Sequence, residues 1–173
     1  MIFAFFCLFI ALELKNFQKL ANILEKNEQI SELLKLSPEN ILLKWFNFHL
    51  KAGQSEKQIK NFSGDVKDSE KNIILLNQLN KEICDKSALN DSDLKKRAEN
   101  VLSNLSKLKI NSYITADDIV DGNEKLNLLL VASIFNSKTR LKSANDKQKK
   151  EINNVLADED AGEEKIFRVW INY

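Results

Sequence analysis

The chain has 173 residues, a length that suits one domain of ordinary size with some flanking helices. Hydrophobic residues make up 43% and charged residues 29%, with one proline and four glycines, so little of the chain can be turn-dense β structure. Basic residues number 26 against 25 acidic ones, and the net charge of +1 excludes a global field that steers the chain onto nucleic acid or an anionic membrane.

The first twelve residues form the only extended apolar run in the sequence. A dozen residues fall short of the roughly 20 that a membrane-spanning helix needs. No basic residue precedes the run, and residues 13–16 offer no small-residue cleavage site. We therefore prefer a buried helix here, with a signal sequence or membrane anchor as the alternative.

Residues 14–34 carry apolar side chains at three- and four-residue steps, which predicts helix. The stripe is interrupted by the polar residues 25–29, so we predict two helices with a break between them. The apolar positions are Leu14, Phe17, Leu20, Ala21, Leu24, Ile30, Leu33 and Leu34.

The triplet Ser37-Pro38-Glu39 predicts the start of the next helix at Pro38. Serine is a favoured N-cap, proline suits the first helical position, and an acidic residue complements the helix dipole there. We expect this helix to end between Lys51 and Gly53, with the glycine supplying the left-handed terminating conformation.

Four further helices are predicted before residue 138. The second main helix is capped by Asp68 or Ser69, and a strongly amphipathic third begins at Asp91 or Ser92. Residues 115–118 match a capping box whose short helix ends at Gly122, and residues 126–135 form an apolar central helix. Residues 138–162 are rich in lysine, asparagine and acidic residues, which predicts a linker, and residues 163–173 begin another amphipathic helix.

Several of these segments resemble, in the same order, the second calponin-homology domain of the fimbrin/plastin family. Residues 36–50, LSPENILLKWFNFHL, are similar to the opening helix of that domain, and residues 61–69, NFSGDVKDS, to the loop that follows. Further matches are LNQ at 76–78, DLKKRAE at 93–99, TADDIVDGNEKLNL at 115–128 and VASIFN at 131–136. The resemblance implies an all-α fold with about four main helices, short connecting helices and extra flanking helices at both ends.

The ends of the chain also resemble fimbrins. Residues 163–172, EEKIFRVWIN, are similar to the opening of the third calponin-homology domain, and residues 13–35 to the end of the first domain and its linker. The implied organisation is a remnant of a preceding domain and linker helices at 1–35, a complete domain at 36–137, a linker at 138–162 and the start of a following domain at 163–173.

The family likeness implies that the chain binds actin filaments, without catalysis or a cofactor, as part of an actin cross-linking and bundling protein of the cytoplasmic cytoskeleton. Its partners would be filaments and a neighbouring calponin-homology domain, with neither nucleic acid nor membrane expected. The candidate contacts are exposed positions of the opening helix: Glu39, Lys44, Asn47 and Lys51. Lys44 stands where the family usually has arginine, which keeps the charge and loses the planar guanidinium.

Other classes of function have weaker support. His49 is the only histidine, it flanks Trp45 and Phe48 on a helix, and no nucleotide-binding or hydrolase motif is present, so we interpret His49 as structural. The lysines of residues 138–150 have no interleaved aromatic residues for stacking on bases, so nucleic-acid binding is the less favoured alternative. A helical scaffold without affinity for actin is the other.

No metal site is predicted. A calcium loop that starts at Asp117 places Gly122 correctly but puts Ile119 and Leu128 where oxygen ligands are needed, and the acidic run 158–162 has its glycine one place too early. Cys7 and Cys84 lack a Cys-X-X-Cys spacing and a neighbouring histidine, which excludes a zinc site or disulfide scaffold and favours a reducing compartment.

Overall fold

A computed structural model describes residues 19–24, 28–143 and 145–157. These residues form seven α-helices and two short 3-10 helices, without a β-strand, which confirms the predicted all-α class. The α-helices are α1 (Ile30–Leu34), α2 (Pro38–Ala52), α3 (Glu70–Leu79), α4 (Leu94–Lys107), α5 (Ala116–Asp121), α6 (Glu124–Ser137) and α7 (Asp146–Ala157). The 3-10 helices are Ala21–Ile23 and Ser87–Asn90.

The chain divides into two compact units. One is Leu42–Thr139, and the other combines residues 1–41 with residues 140–173. The apolar run at residues 1–12, the acidic run at 158–162 and the helix predicted at 163–173 lie outside the described residues.

The unit Leu42–Thr139 contains a core of large side chains drawn from its main helices and its first long loop. Because these side chains are removed from water completely, burial of each contributes about 1.5–3 kcal/mol to folding. The largest that are fully buried are Trp45, Phe46, Phe62, Phe135, Leu42, Leu50, Ile59, Ile73 and Leu75.

Helix α2 begins at Pro38 as predicted, and the Ser37 hydroxyl accepts the N–H of Asn40 at 3.3 Å. It ends at Ala52, but the left-handed residue is Gln54, with φ of 61°, and not Gly53. Gly53 is required for a different reason, since a Cβ there would lie 2.9 Å from Cγ2 of Ile74. The glycine therefore permits close approach of α3.

Side-chain caps are present at the starts of α4, α5 and α6. At α3, Ser69 makes no side-chain cap hydrogen bond, and Asp68 accepts the N–H of Glu70 at 3.0 Å. Asp93, two residues after the predicted Asp91, caps α4 by accepting the N–H groups of Lys95 and Lys96. Thr115 forms the predicted capping box of α5, and Gly122 ends that helix with φ of 71°.

The predicted linker contains a helix that the sequence pattern did not reveal, α7. Asn145 and Gln148 cap it reciprocally, with N–H to side-chain oxygen distances of 2.8 and 2.9 Å. In the same unit Asn22 Nδ2 donates to the carbonyl of Lys142 at 2.9 Å, so the segments before and after the central domain are joined to each other.

Candidate functional site

Helix α2 carries all four predicted contact residues. Lys44, Asn47 and Lys51 follow three- and four-residue spacing and therefore share one face of the helix, whereas Glu39 lies in its first turn. Lys51 is exposed, and the other three side chains are partly buried.

Asn47 lies between the two lysines on this face, and its side-chain amide makes hydrogen bonds within the domain. Its Nδ2 donates to the carbonyl of Ile59 at 2.9 Å, while its Oδ1 accepts the N–H of Ile59 at 2.8 Å. Both polar groups of one loop residue are thereby satisfied by one side chain, which positions the loop between α2 and α3 against α2. The structure thus places the Asn47 amide in a structural contact.

A second set of hydrogen bonds orders the following turn. Asp65 Oδ2 accepts the N–H groups of Lys60 and Asn61, at 2.7 and 3.3 Å. Asn61 Oδ1 in turn accepts the N–H of Ser63 at 2.9 Å, and the Ser63 hydroxyl donates to the carbonyl of Gly122 at 2.9 Å. Hydrogen bonds to short polar side chains therefore order residues 60–65, as is usual for aspartate and asparagine in turns.

The opposite face of α2 is anchored by aromatic residues. The carbonyl of Thr139 accepts the indole N–H of Trp45 and lies 3.0 Å from Nε2 of His49, which must carry a proton there because a carbonyl only accepts. Trp45 also packs edge-on against Phe135, with ring centroids 5.2 Å apart. His49 is only 4% exposed, which agrees with the structural interpretation of this residue.

Two ion pairs each join a lysine to a carboxylate elsewhere in the domain. Lys57 Nζ lies 2.8 Å from Glu70 Oε2, and hydrogen bonding to that carboxylate raises the pKa of Lys57. Lys95 Nζ lies 2.8 Å from Asp117 Oδ1, and this hydrogen-bonded pair raises the pKa of Lys95. Both pairs are solvated, so they orient side chains more than they stabilise the fold.

The part of the chain that the structure describes shows no group of three or more histidine, cysteine, aspartate or glutamate residues able to hold a metal ion. Among its helices, none has the length and apolarity that crossing a bilayer requires.

Comparison with known proteins identifies the domain. Residues 36–140 match the model of the calponin homology (CH) domain, and this span includes the buried Thr139. The chain belongs to the CH domain family. The CH match covers the helix that carries the candidate residues and the loop that Asn47 holds.

Fimbrins and plastins are similar to nearly the whole chain, which confirms the resemblance seen in the motifs. The chain is 42% identical to fimbrin of Saccharomyces cerevisiae over 161 residues, 44% identical to fimbrin of Dictyostelium discoideum over 167 residues and 40% identical to human plastin-3 over 174 residues. These alignments cover 93%, 95% and 95% of this chain. They cover only 25%, 26% and 27% of the relatives, so the chain spans about a quarter of their length.

A solved structure supports the same assignment. The chain matches the crystal structure of the actin-crosslinking core of Schizosaccharomyces pombe fimbrin, with a TM-score of 0.64 and 40% sequence identity. The match covers 76% of this chain and 29% of that one.

Two structural residues of the CH domain were not identified from the sequence. Asn47 was predicted as an exposed contact, and nothing in its spacing indicated that Ile59 is its partner. Arg97 donates from Nε to the carbonyl of Asp91 at 2.6 Å and from Nη2 to that of Leu89 at 3.0 Å. Arg97 follows exposed lysines in the sequence, and nothing in that local pattern indicated these hydrogen bonds.

Proposed function

We propose that this chain binds actin filaments through its CH domain and has no catalytic activity. The proposal rests mainly on the 40% identity and shared fold with the actin-crosslinking core of a fimbrin. In this interpretation the chain is part of an actin cross-linking and bundling protein of the cytoplasmic cytoskeleton.

The proposed domain organisation is that of a tandem array. Residues 1–35 end a preceding CH domain and its linker, residues 138–162 form a linker, and residues 163–173 begin a following CH domain. The support is that similarity to fimbrins extends over 93% of the chain, well beyond the CH match at 36–140. A neighbouring CH domain is thus the second proposed partner.

The proposed contacts on α2 are Lys44 and Lys51, with Glu39 in the first turn and Asn47 between the lysines. The support is their common location on the opening helix and the exposure of Lys51. Two cations on one helix face suit an acidic partner surface, and such contacts mainly affect the association rate and its dependence on salt.

Co-sedimentation with actin filaments tests the proposal. High-speed sedimentation should show weak binding by this chain and stronger binding by a version extended upstream with a complete CH domain, because linked sites raise apparent affinity by about 10² to 10⁴. Low-speed sedimentation should show no bundles, since bundling needs two separate filament-binding surfaces on one molecule. Strong bundling by the monomeric chain contradicts the proposal.

The contact residues are tested in the same assay. The double variant Lys44→Glu/Lys51→Glu should weaken binding, and added salt should weaken binding by the parent chain, because both act on attraction between opposite charges. If the double variant binds as well as the parent and salt does not weaken binding by the parent, the contact lies elsewhere than on α2.

A further inference from the structure

The loop between α2 and α3 lies against the same face of α2 that carries Lys44 and Lys51. Asn47, which lies between the two lysines on that face, holds both backbone polar groups of Ile59. Ile59 is itself 2% exposed, so its side chain is fixed in the core as well. Three contacts therefore fix residue 59 relative to this helix face: the two hydrogen bonds from Asn47 and the burial of its own side chain.

Lys60 follows Ile59 directly and is exposed. Its backbone N–H donates to Asp65 Oδ2 at 2.7 Å, and Asn61 Nδ2 donates to the same oxygen at 3.2 Å. Hydrogen bonds thus fix the backbone at Ile59 and at Lys60. An exposed lysine on so constrained a backbone loses less conformational freedom on binding than one on a mobile loop.

Basic residues outnumber acidic ones around this position, although the Asp65 carboxylate adds a negative charge beside the backbone of Lys60. Between Leu42 and Asn61 the chain carries Lys44, Lys51, Lys57 and Lys60 against a single carboxylate, Glu56. Lys57 is paired with Glu70, and the Asp65 carboxylate accepts hydrogen bonds from the turn itself.

We propose that Lys60 is a third basic contact to the acidic surface of the actin filament, beside Lys44 and Lys51, and that Asn47 is the residue that positions it. This inference rests on the proposed function. It gives the Asn47 amide an indirect role in binding, since the side chain fixes the loop and Lys60 makes the contact.

Single charge reversals in the full chain test the contact. Lys60→Glu and Lys51→Glu should each weaken co-sedimentation with actin filaments by about two- to fivefold, the range for one exposed ion pair. Lys96→Glu, a reversal at another exposed lysine, on α4, is the matched control and should leave binding unchanged. Equal loss with all three variants indicates a dependence on net charge alone and overturns the contact.

The outcomes separate the inference from the proposed function. If Lys51→Glu weakens binding and Lys60→Glu behaves like Lys96→Glu, the inference is wrong and the proposed function stands. If the parent chain does not sediment with filaments, the proposed function fails, and the inference fails with it.

The positioning role of Asn47 is tested by coupling. Asn47→Ala removes both bonds to Ile59, so adding Lys60→Glu in that background should cost little further binding, whereas adding Lys51→Glu should cost as much as in the parent. Circular dichroism verifies that the variant is folded, and Asn47→Leu, which keeps the branched shape of the side chain, serves if Asn47→Ala is not. A Lys60→Glu effect of full size in the Asn47 background overturns the positioning role.

Discussion

Trp45 joins the core of the CH domain to the chain segment that follows α6. It is fully buried, packs on Phe135 and donates a hydrogen bond to the carbonyl of Thr139. Trp45→Ala should therefore lower the free energy of unfolding by about 3–5 kcal/mol, through lost burial and the cavity left behind. Urea denaturation followed by far-UV circular dichroism measures this loss.

Trp45→Phe separates the two contributions of the tryptophan. Phenylalanine keeps most of the apolar volume and removes the N–H donor with part of the ring, so its cost should be clearly smaller than that of alanine. His49 still faces the same carbonyl in this variant, so Thr139 keeps a partner. An unfolding midpoint that does not change with Trp45→Ala contradicts the assignment of Trp45 to the core.

Gly122 and Gly64 offer a matched pair of glycines in the same domain. Gly122 has φ of 71°, a left-handed conformation that residues with a Cβ adopt at a cost of about 1–2 kcal/mol. A Cβ there would also collide with Cε of Lys67, and the lysine would have to move. Gly122→Ala should therefore destabilise the domain by roughly 1–2 kcal/mol in urea denaturation.

Gly64 is the control, since a Cβ at that position meets nothing within 4 Å and its φ is not among the positive values. Gly64→Ala should be neutral or slightly stabilising because it reduces the freedom of the unfolded chain. Equal effects of the two substitutions count against a conformational role for Gly122.

At the scale of an element, the capping box of α5 makes stability depend on pH. Thr115 Oγ1 accepts the N–H of Asp118 at 3.2 Å, and Asp118 Oδ2 accepts the N–H of Thr115 at 3.0 Å. Hydrogen bonding from the Thr115 hydroxyl and backbone lowers the pKa of Asp118 below its ordinary value. The stability that this carboxylate contributes is present above the pKa of the unfolded chain, about 4, and is lost as pH falls through the lower folded value.

Thr115→Ala should cost about 1 kcal/mol at neutral pH, the usual effect of removing an N-cap side chain. The variant should also lose less stability than the parent on acidification below about pH 4, because the Asp118 pKa returns toward its ordinary value. Urea titrations at neutral and acidic pH measure both effects. Thr115→Ser, which retains the hydroxyl, should behave as the parent does, and a matching acid profile in all three proteins rules out this linkage.

At the scale of the whole molecule, we predict that calcium has no direct effect. Two of the three acidic residues of α5 already have partners, since Asp117 pairs with Lys95 and Asp118 caps the helix with Thr115. Isothermal titration calorimetry at micromolar calcium should give no binding heat, with the same titration into a chelator as the positive control. A saturable heat would show that other residues of the chain supply the oxygen ligands.

The sequence by itself determined the helical class, most of the helix limits and the family. These features depend on interactions between near neighbours: the start of α2 at Pro38, the capping box at Thr115 and the left-handed Gly122 each follow from chemistry within four residues. The family motifs occur in the same order as in fimbrins, so they also predicted the order of the helices.

Only the tertiary structure decided which residues meet across the chain. Spacing placed Lys44, Asn47 and Lys51 on one face of α2, but the bonds from Asn47 to Ile59 depend on how the following loop returns to the helix. For the same reason the close approach of Ile74 to Gly53 and the shared carbonyl of Thr139 were not predictable from local pattern. A one-dimensional pattern specifies the direction in which a side chain points, whereas its partner is set by the packing of segments that are distant in sequence.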